Sequence, residues 1–375
     1  MSIFAEVLSF IREPERERFE PLALEVFRYQ FANVPPYRAY VEAVGRNPAA
    51  VRAVDEIPPL STLAFKYVRT ESVAAAPGLE ARLFRTSGTT IGRDERGRHL
   101  VLRPEIYRAS ALGHLRRMFF PDNRRIAILA LHPTADRMPE SSLSQMISWA
   151  IEEFGASSGE MSGEETVCTA TPAGVDIASA TAFLEDRTRR NGPVAILATT
   201  AACARLFGAL EEAGKPLRLP PGSRLMDTGG AKGQATPLGA AAVVALAGRW
   251  LGLAPEMVIN EYGMTEMCSQ LYDATAFNSA RRDPADTRRK LAPPWLRPFA
   301  LDPATLRPVA DGHPGVLAFF DLANVASVSM LLTEDLGTVE DGAVRIFGRA
   351  ATAEARGCAL AIAEFAAPDG DAGSR

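Results

Sequence analysis

"RRIAILALHPTADRMPESSLSQMISWAIEEFG", residues 124–155, carries the pattern from which the fold class is read. Its opening, residues 124–131, is short, aliphatic and bounded by turn residues, as a buried parallel strand is. A polar run begins at His132, and "SSLSQMISWAIEEFG" then takes up helical spacing. The order repeats at "PVAILATT" (193–200), followed by the helical "AACARLFGALEEAG". "SRLMDTGG" (223–230) and "EMVINEYG" (256–263) read as two more strands running into loops. Such alternation predicts an α/β fold with a largely parallel sheet flanked by helices.

On either side the pattern changes. Residues 1–80 read as helical, with amphipathic spacing in "FEPLALEVFRYQFANV" and "YRAYVEAV" and turns at Pro35-Pro36 and Pro58-Pro59. Beyond about residue 300 the chain becomes β-rich in "GVLAFFDLAN", "VSMLLTEDLG" and "AVRIFGRA", and "PDGDAGSR" has the composition of a tail. The expected organisation is one large domain over 1–349 and a short remnant over 350–375.

Composition narrows the function classes. At 375 residues, with 47% hydrophobic and 23% charged residues, the chain supports a large core. A net charge of -4 argues against a general grip on nucleic acid or anionic lipid. Cys168, Cys203, Cys268 and Cys358 include no CxxC pair, and the four histidines are dispersed, so no zinc-ligand spacing occurs. The apolar start meets Glu6 and Glu13, which makes a poor signal peptide, and "AAAVVALAGRWLGLAPEMVI" is broken by Arg249 and Pro255. A cytoplasmic protein that does not enter membranes is expected. Lys66, Lys215, Lys232 and Lys290 are the only lysines, which leaves few candidates for a catalytic one.

In open α/β sheets, ligands sit beyond the carboxyl ends of the strands. "LHPTADRMPESS", "DTGGAKG" and "EYGMTEMCSQ" all begin there. "FRTSGTTIGRDERG" (84–97) follows the apolar "ARLF" and gathers Thr86, Ser87, Thr89 and Thr90 around Gly88. Glycine permits turns that aim N–H groups at an anion, and hydroxyls add donors. A surface turn or helix N-cap is the competing reading, and the Walker pattern is absent. "EYGMTE" supplies an aromatic face in Tyr262, a joint in Gly263, a hydroxyl in Thr265 and a carboxylate in Glu266. Those groups suit an adenine ring and a magnesium-bound phosphate, while an ordinary strand-to-helix turn would use the same residues.

The order "TSGTT", "GGAKG", "EYGMTE", "TEDLG", "FGRA" resembles the adenylate-forming superfamily of acyl- and aryl-CoA ligases, luciferases and adenylation domains. "LHPTADRMPESSLSQM", "DTGGAKG", "EYGMTEMCSQLY" and "PPLSTLAFK" most resemble the acyl-protein synthetases of bacterial bioluminescence operons, over roughly residues 20–365. The resemblance implies an ATP-dependent ligase that activates a carboxylic acid as acyl-adenylate and passes the acyl group to a thiol. Thr86–Thr90 would hold the β- and γ-phosphates, and Gly229, Gly230 and Ala231 would lie along the adenine with Tyr262 against its ring. Thr265 would contact the α-phosphate, Glu266 would hold magnesium, and Asp335 and Arg349 would reach the ribose. His132 corresponds to a histidine beside the acyl pocket.

Two departures bear on that reading. Relatives usually carry TSGTTG followed shortly by a lysine, whereas Ile91 precedes Gly92 here and Arg93 follows. The superfamily's mobile C-terminal domain, with its catalytic lysine, is expected to be absent or vestigial, since no lysine lies beyond Lys290. Lys232 is then the cation best placed for the adenylate. Cys358 occupies the kind of position at which the bioluminescence synthetases carry the acyl group, and Arg356 beside it would favour a thiolate. Other acceptors are coenzyme A, a carrier's phosphopantetheine or a partner reductase. The alternative functions are a CoA ligase of the phenylacetate type and a nucleotide-binding scaffold without catalysis. Met138, Met146 and Trp149 are candidate walls of an acyl pocket, or core residues.

Overall fold

The computed structural model describes residues 1–74, 81–86, 96–156, 166–229, 238–281 and 288–349. The chain divides into two compact units. The first contains residues 1–107, 266–268 and 294–375, and the second contains residues 108–265 and 269–293.

The first unit opens with α1 (Ile3–Arg12), α2 (Arg16–Asn33) and α3 (Pro35–Ala43). Phe19, Leu22, Ala23, Val26 and Phe27 put one buried stripe on α2 at helical spacing. Gln30 continues that stripe as a polar exception and is fully used. Its Nε2 donates to Asn324 O at 3.2 Å and Ser329 Oγ at 2.9 Å, and its Oε1 accepts from Ser329 N at 3.1 Å. Pro35 opens α3 where its missing N–H costs nothing, so the Pro35-Pro36 turn is also a helix start. There follow β1 (Leu60–Ser61), the antiparallel pair β2 (Arg82–Arg85) and β3 (Arg98–Val101), and α4 (Pro104–Phe119), along which the chain enters the second unit.

In the second unit the expected alternation is present: β4 (Ala127–Leu131), α5 (Ser142–Phe154), β5 (Thr166–Cys168), the small hairpin β6 (Ala170–Thr171) and β7 (Gly174–Val175), α6 (Ile177–Arg189), β8 (Val194–Thr199), α7 (Thr200–Ala213), β9 (Arg224–Thr228), α8 (Ala240–Leu251) and β10 (Val258–Tyr262). The strands β5, β4, β8, β9 and β10 lie side by side in that order, all parallel. Every residue of β4 and β9 is buried, as in strands covered on both faces, although β9 carries Arg224, Asp227 and Thr228 where β4 is wholly aliphatic. Leu129, Ile196, Leu206, Phe207, Leu225 and Trp250 belong to the resulting core. Ser141, Asp176 and Thr199 each cap the helix they precede, satisfying an N–H that the helix itself cannot. Beyond β10 the sheet turns antiparallel, through β11 (Leu271–Asp273) and, after α9 (Thr275–Ala280), β12 (Lys290–Leu291).

The remainder of the first unit is an antiparallel meander of β13 (Leu296–Leu301), β14 (Pro314–Asp321), β15 (Met330–Glu340) and β16 (Ala343–Arg349). Strand β15 runs past the expected Gly337 to Glu340, where Asp341 and Gly342, both at positive φ, turn the chain into β16. Strand β1 lies parallel to β15. Among the described residues no helix is long and apolar enough to cross a membrane.

Candidate functional site

The carboxyl ends of β9 and β10 are joined rung by rung. Register pairs Asp227 with Asn260 and Thr228 with Glu261. Successive side chains alternate across a strand, so the two rungs serve opposite faces of the sheet. On one face Asn260 Nδ2 donates to Asp227 Oδ2 at 3.0 Å, and Thr200 Oγ1 donates to the same oxygen at 3.0 Å. Thr200 also contacts the Gly229 carbonyl, fixing the first residue of the "GGAKG" loop. On the other face the Thr228 hydroxyl donates to the Glu261 carboxyl.

Two glycines in these loops answer to different demands. Gly229 has φ +80° with open space around it, so its backbone conformation is what calls for glycine. At Gly263 a Cβ would lie 2.5 Å from Glu261 Oε1, so a side chain there would displace the end of that carboxyl.

A cation completes the network. Lys290 Nζ donates to Asn260 Oδ1 at 2.7 Å, Asn260 O at 3.1 Å and Asp273 Oδ1 at 2.9 Å. An ammonium has three donors, and these three acceptors occupy them. Arg288 Nη1 donates to Asp273 Oδ2 at 3.2 Å. Burial raises the pKa of Asp227 despite the Thr200 and Asn260 bonds. Glu261 is pushed up to about 7, chiefly by burial and further by the Asp227 charge, with Thr228 and Lys290 opposing. None of Asp227, Asn260, Glu261, Asp273 or Lys290 was singled out from sequence as a site residue. The available signal was polar residues inside otherwise aliphatic strands, since a buried carboxylate must find partners.

His132 directly follows β4. Its Nε2 lies 3.1 Å from the buried Ser144 Oγ, and burial lowers its pKa to about 4, leaving a neutral imidazole at neutral pH. Met146 and Trp149 are buried side chains of α5, and Met146 Sδ accepts from Tyr272 Oη at 3.7 Å. Tyr262 ends β10, and Gly263 and Thr265 lie in the loop after it. That loop leads into β11 rather than a helix, so the strand-to-helix turn does not form. A shallow cleft of Asp122, Arg124, Arg125, Pro193, Gly222 and Arg224 lies at the amino ends of β4, β8 and β9. Arg224 is spent there on Asp122 at 2.6 Å, and this is the end of the sheet away from the polar loops.

The first unit holds the other described candidates. Asn324 Nδ2 donates to Glu266 O at 2.7 Å, and Cys268 N donates to Asp321 Oδ2 at 2.9 Å, so both ends of the short 266–268 segment are pinned. Cys268 is buried and its thiol is pushed well above its usual range, by desolvation first and then by Asp321. It is a packing residue. Asp335 and Arg349 are register partners on β15 and β16, with Arg349 Nε 3.8 Å from Asp335 Oδ1 and its Nη1 3.7 Å from Glu334 Oε2. Thr86 follows β2 and pairs with Gly97 at the base of the hydroxyl loop, through N to O at 3.0 Å and Gly97 N to Thr86 Oγ1 at 2.8 Å.

Ser87, Gly88, Thr89, Thr90, Gly230, Ala231, Lys232 and Cys358 lie outside the described residues. Among the described residues no three His, Cys, Asp or Glu side chains gather as a metal cage. One carboxylate, Glu266, still fits magnesium, which takes one or two carboxylates together with substrate phosphates and water.

A family model described as acyl-protein synthetase, LuxE, matches residues 3–366. A long-chain-fatty-acid–luciferin-component ligase of Aliivibrio fischeri is 39% identical over 85 residues, and that of Vibrio harveyi is 35% identical over 97. Those stretches cover 20% and 24% of this chain, and 22% and 26% of the relatives, so the similarity spans about a quarter or less of the curated relatives. Solved structures of 2-hydroxyisobutyryl-CoA ligase share the fold. The complex with R3-HIB-AMP in the postadenylation state has TM-score 0.62 at 17% identity, covering 90% of this chain and 69% of that one. The open form with 2-HIB-AMP and CoA has TM-score 0.62 at 18% identity, covering 90% and 76%. The chain therefore belongs to the LuxE acyl-protein synthetase family.

Proposed function

We propose that this protein is an ATP-dependent, AMP-forming ligase that activates a carboxylic acid as its acyl-adenylate and passes the acyl group to a thiol. The observation that carries the reading is the family match over residues 3–366, which includes every motif in question. In the first half-reaction an oxygen of the substrate carboxylate attacks the α-phosphorus of ATP, and the bond to pyrophosphate breaks. In the second a thiolate attacks the acyl carbonyl, and AMP leaves with the bonding electrons.

Each residue's proposed part is the one the family resemblance implies, and its chemistry suits that part. Tyr262 offers a ring face to adenine, and Gly229 allows close approach of the chain beside it. Asp335 accepts from the ribose hydroxyls, with Arg349 reaching the same sugar. A loose pair at 3.8 Å with an exposed guanidinium is worth about 0–1 kcal/mol, so holding a sugar costs these side chains little mutual attraction. Thr265 donates to the α-phosphate, and Thr86 with the hydroxyl loop after it donates to the β- and γ-phosphates. Glu266 holds magnesium, which when bound spreads the charge of the leaving pyrophosphate. Because it is neutral, His132 lines the acyl side of the site without competing as a cation for the phosphates. Lys232 is the cation proposed to approach the adenylate, and Cys358 the thiol proposed to accept the acyl group.

The relatives' names make a long-chain fatty acid the first substrate to try. Exchange of labelled pyrophosphate into ATP, with magnesium and a panel of acids from short aromatic to long-chain fatty, tests the first half-reaction. Exchange that depends on one class of acid is expected, and its absence with every acid would overturn the proposal. Thioester recovered on the protein without added coenzyme A distinguishes acyl-protein synthesis from release of free acyl-CoA.

A further inference from the structure

We infer that Glu261 is a positioning residue for nucleotide binding, clamping the ends of β9 and β10 through Thr228 and Gly263 so that Gly229 and Tyr262 are held in fixed register. The inference rests on the site proposed above and concerns a residue to which the motif reading gave no part.

The geometry is local and tight. Glu261 is 5% exposed and sits in register with Thr228 on β9 and Tyr272 on β11. The Thr228 hydroxyl donates to one of its carboxyl oxygens. The other oxygen fills the space where a side chain at residue 263 would begin, 2.5 Å from the position of a Cβ. One side chain thus joins the residue before Gly229 to the glycine two positions after itself. A carboxyl group does this better than a methylene chain because it bonds on one oxygen and packs on the other.

The clamp works in its protonated form. The Thr228 hydroxyl donates to the carboxyl in either state and more strongly to the carboxylate, but burial outweighs that gain, so the clamp is most stable when it holds no buried charge. The charged groups acting on it are Asp227 on β9 and Lys290 on β12, the latter ion-paired with Asp273 of β11. Tyr272 also faces it in register, with His114 of α4 beside that ring at 5.4 Å. Lys290 is committed to Asn260 and Asp273, and burial holds His114 near 4, so neither is a spare counter-charge. The carboxyl titrates near neutrality, and its ionisation above that point loosens the clamp.

The test measures ATP binding by calorimetry from about pH 6 to about pH 8 on the full chain and on Glu261→Gln, Glu261→Ala and Thr228→Val, beside amide hydrogen exchange of residues 229 and 262–265. For the wild type, ATP affinity should fall several-fold across that range. Glu261→Gln, which keeps the bond and cannot ionise, should hold the low-pH affinity throughout. Thr228→Val and Glu261→Ala should lose about tenfold at low pH, the worth of one buried hydrogen bond, with faster exchange in both loops.

An unchanged pH slope in Glu261→Gln overturns the inference, as does wild-type exchange in Glu261→Ala. Hydrogen exchange separates the two ways of failing. If the wild type binds no ATP at any pH while the loops still loosen in Thr228→Val, the nucleotide role is overturned through the proposed function, and the clamp itself stands.

Discussion

Arg349 stands directly opposite Asp335 across the antiparallel pair β15 and β16, with Nε 3.8 Å from Oδ1. The Arg349 side chain is 57% exposed and also lies 3.7 Å from Glu334 Oε2, so the guanidinium is shared between two carboxylates. Such a pair contributes about 0–1 kcal/mol to stability. Asp335→Ala and Arg349→Ala should therefore leave the thermal midpoint almost unchanged, yet raise KM for ATP by about tenfold or more through loss of charge-assisted hydrogen bonds to the sugar. Melting curves and ATP titrations of the two variants check this, and a large loss of stability would mean that the pair belongs to the fold.

Lys290 gives the opposite expectation. Its ammonium bonds Asn260 and Asp273, and replacing it takes the nearest counter-charge from the buried Asp273 carboxylate, which keeps its bond from Arg288. Lys290→Met should cost about 3–5 kcal/mol in urea unfolding. Adding Asp273→Asn should recover part of that loss, because the buried charge short of its closest counter-charge goes with it. A stable Lys290→Met variant defective only in turnover would make this lysine catalytic instead.

The pH dependence of stability carries a sign that can be worked out. Glu261 titrates from 4.5 in its ordinary state and from about 7 when folded. Between those values the folded chain keeps a proton that the unfolded chain has lost, so this residue's contribution falls as pH rises and is fully lost above about 7, by about 3 kcal/mol. Glu261→Gln removes the term, so the stability difference between variant and wild type should widen in the variant's favour across that window. Partly buried His132 runs the other way. With a folded pKa of about 4 against 6.5, it withdraws stability as pH falls between those values. Denaturant titrations at several pH values read both.

Much of this architecture was legible because aliphatic strands bounded by turn residues announce themselves. Residues 127–131 and 194–199 had to be buried, and the helices after them follow from spacing and from caps such as Ser141 and Thr199. Two-residue strands such as β1 and β12 were not legible, since so short a segment has no period and forms only where a neighbour pairs with it. The Asp227, Asn260, Glu261 and Lys290 network was hidden for another reason. Its members are 30 or more positions apart or face opposite sides of the sheet, and only strand register joins them. The same holds for Asn324 beneath Glu266, 58 positions away.

A covalent acyl-enzyme is the sharpest chemical expectation for Cys358. With ATP, magnesium and a labelled acid that supports exchange, the protein should take up label that hydroxylamine releases as the hydroxamate. Cys358→Ser should abolish the hydroxylamine-labile adduct and leave pyrophosphate exchange intact, because the cysteine acts only after the adenylate has formed. Label that persists in the variant would place the thioester on another thiol.

The most direct measurement follows the carboxylate oxygen itself. When an acid carrying heavy oxygen in its carboxyl group is turned over with ATP, mass spectrometry of the nucleotide product should find one heavy oxygen in AMP, left there when the acyl–phosphate bond breaks on the carbon side. Heavy oxygen in inorganic phosphate with formation of ADP, or unlabelled AMP, would contradict activation at the α-phosphorus.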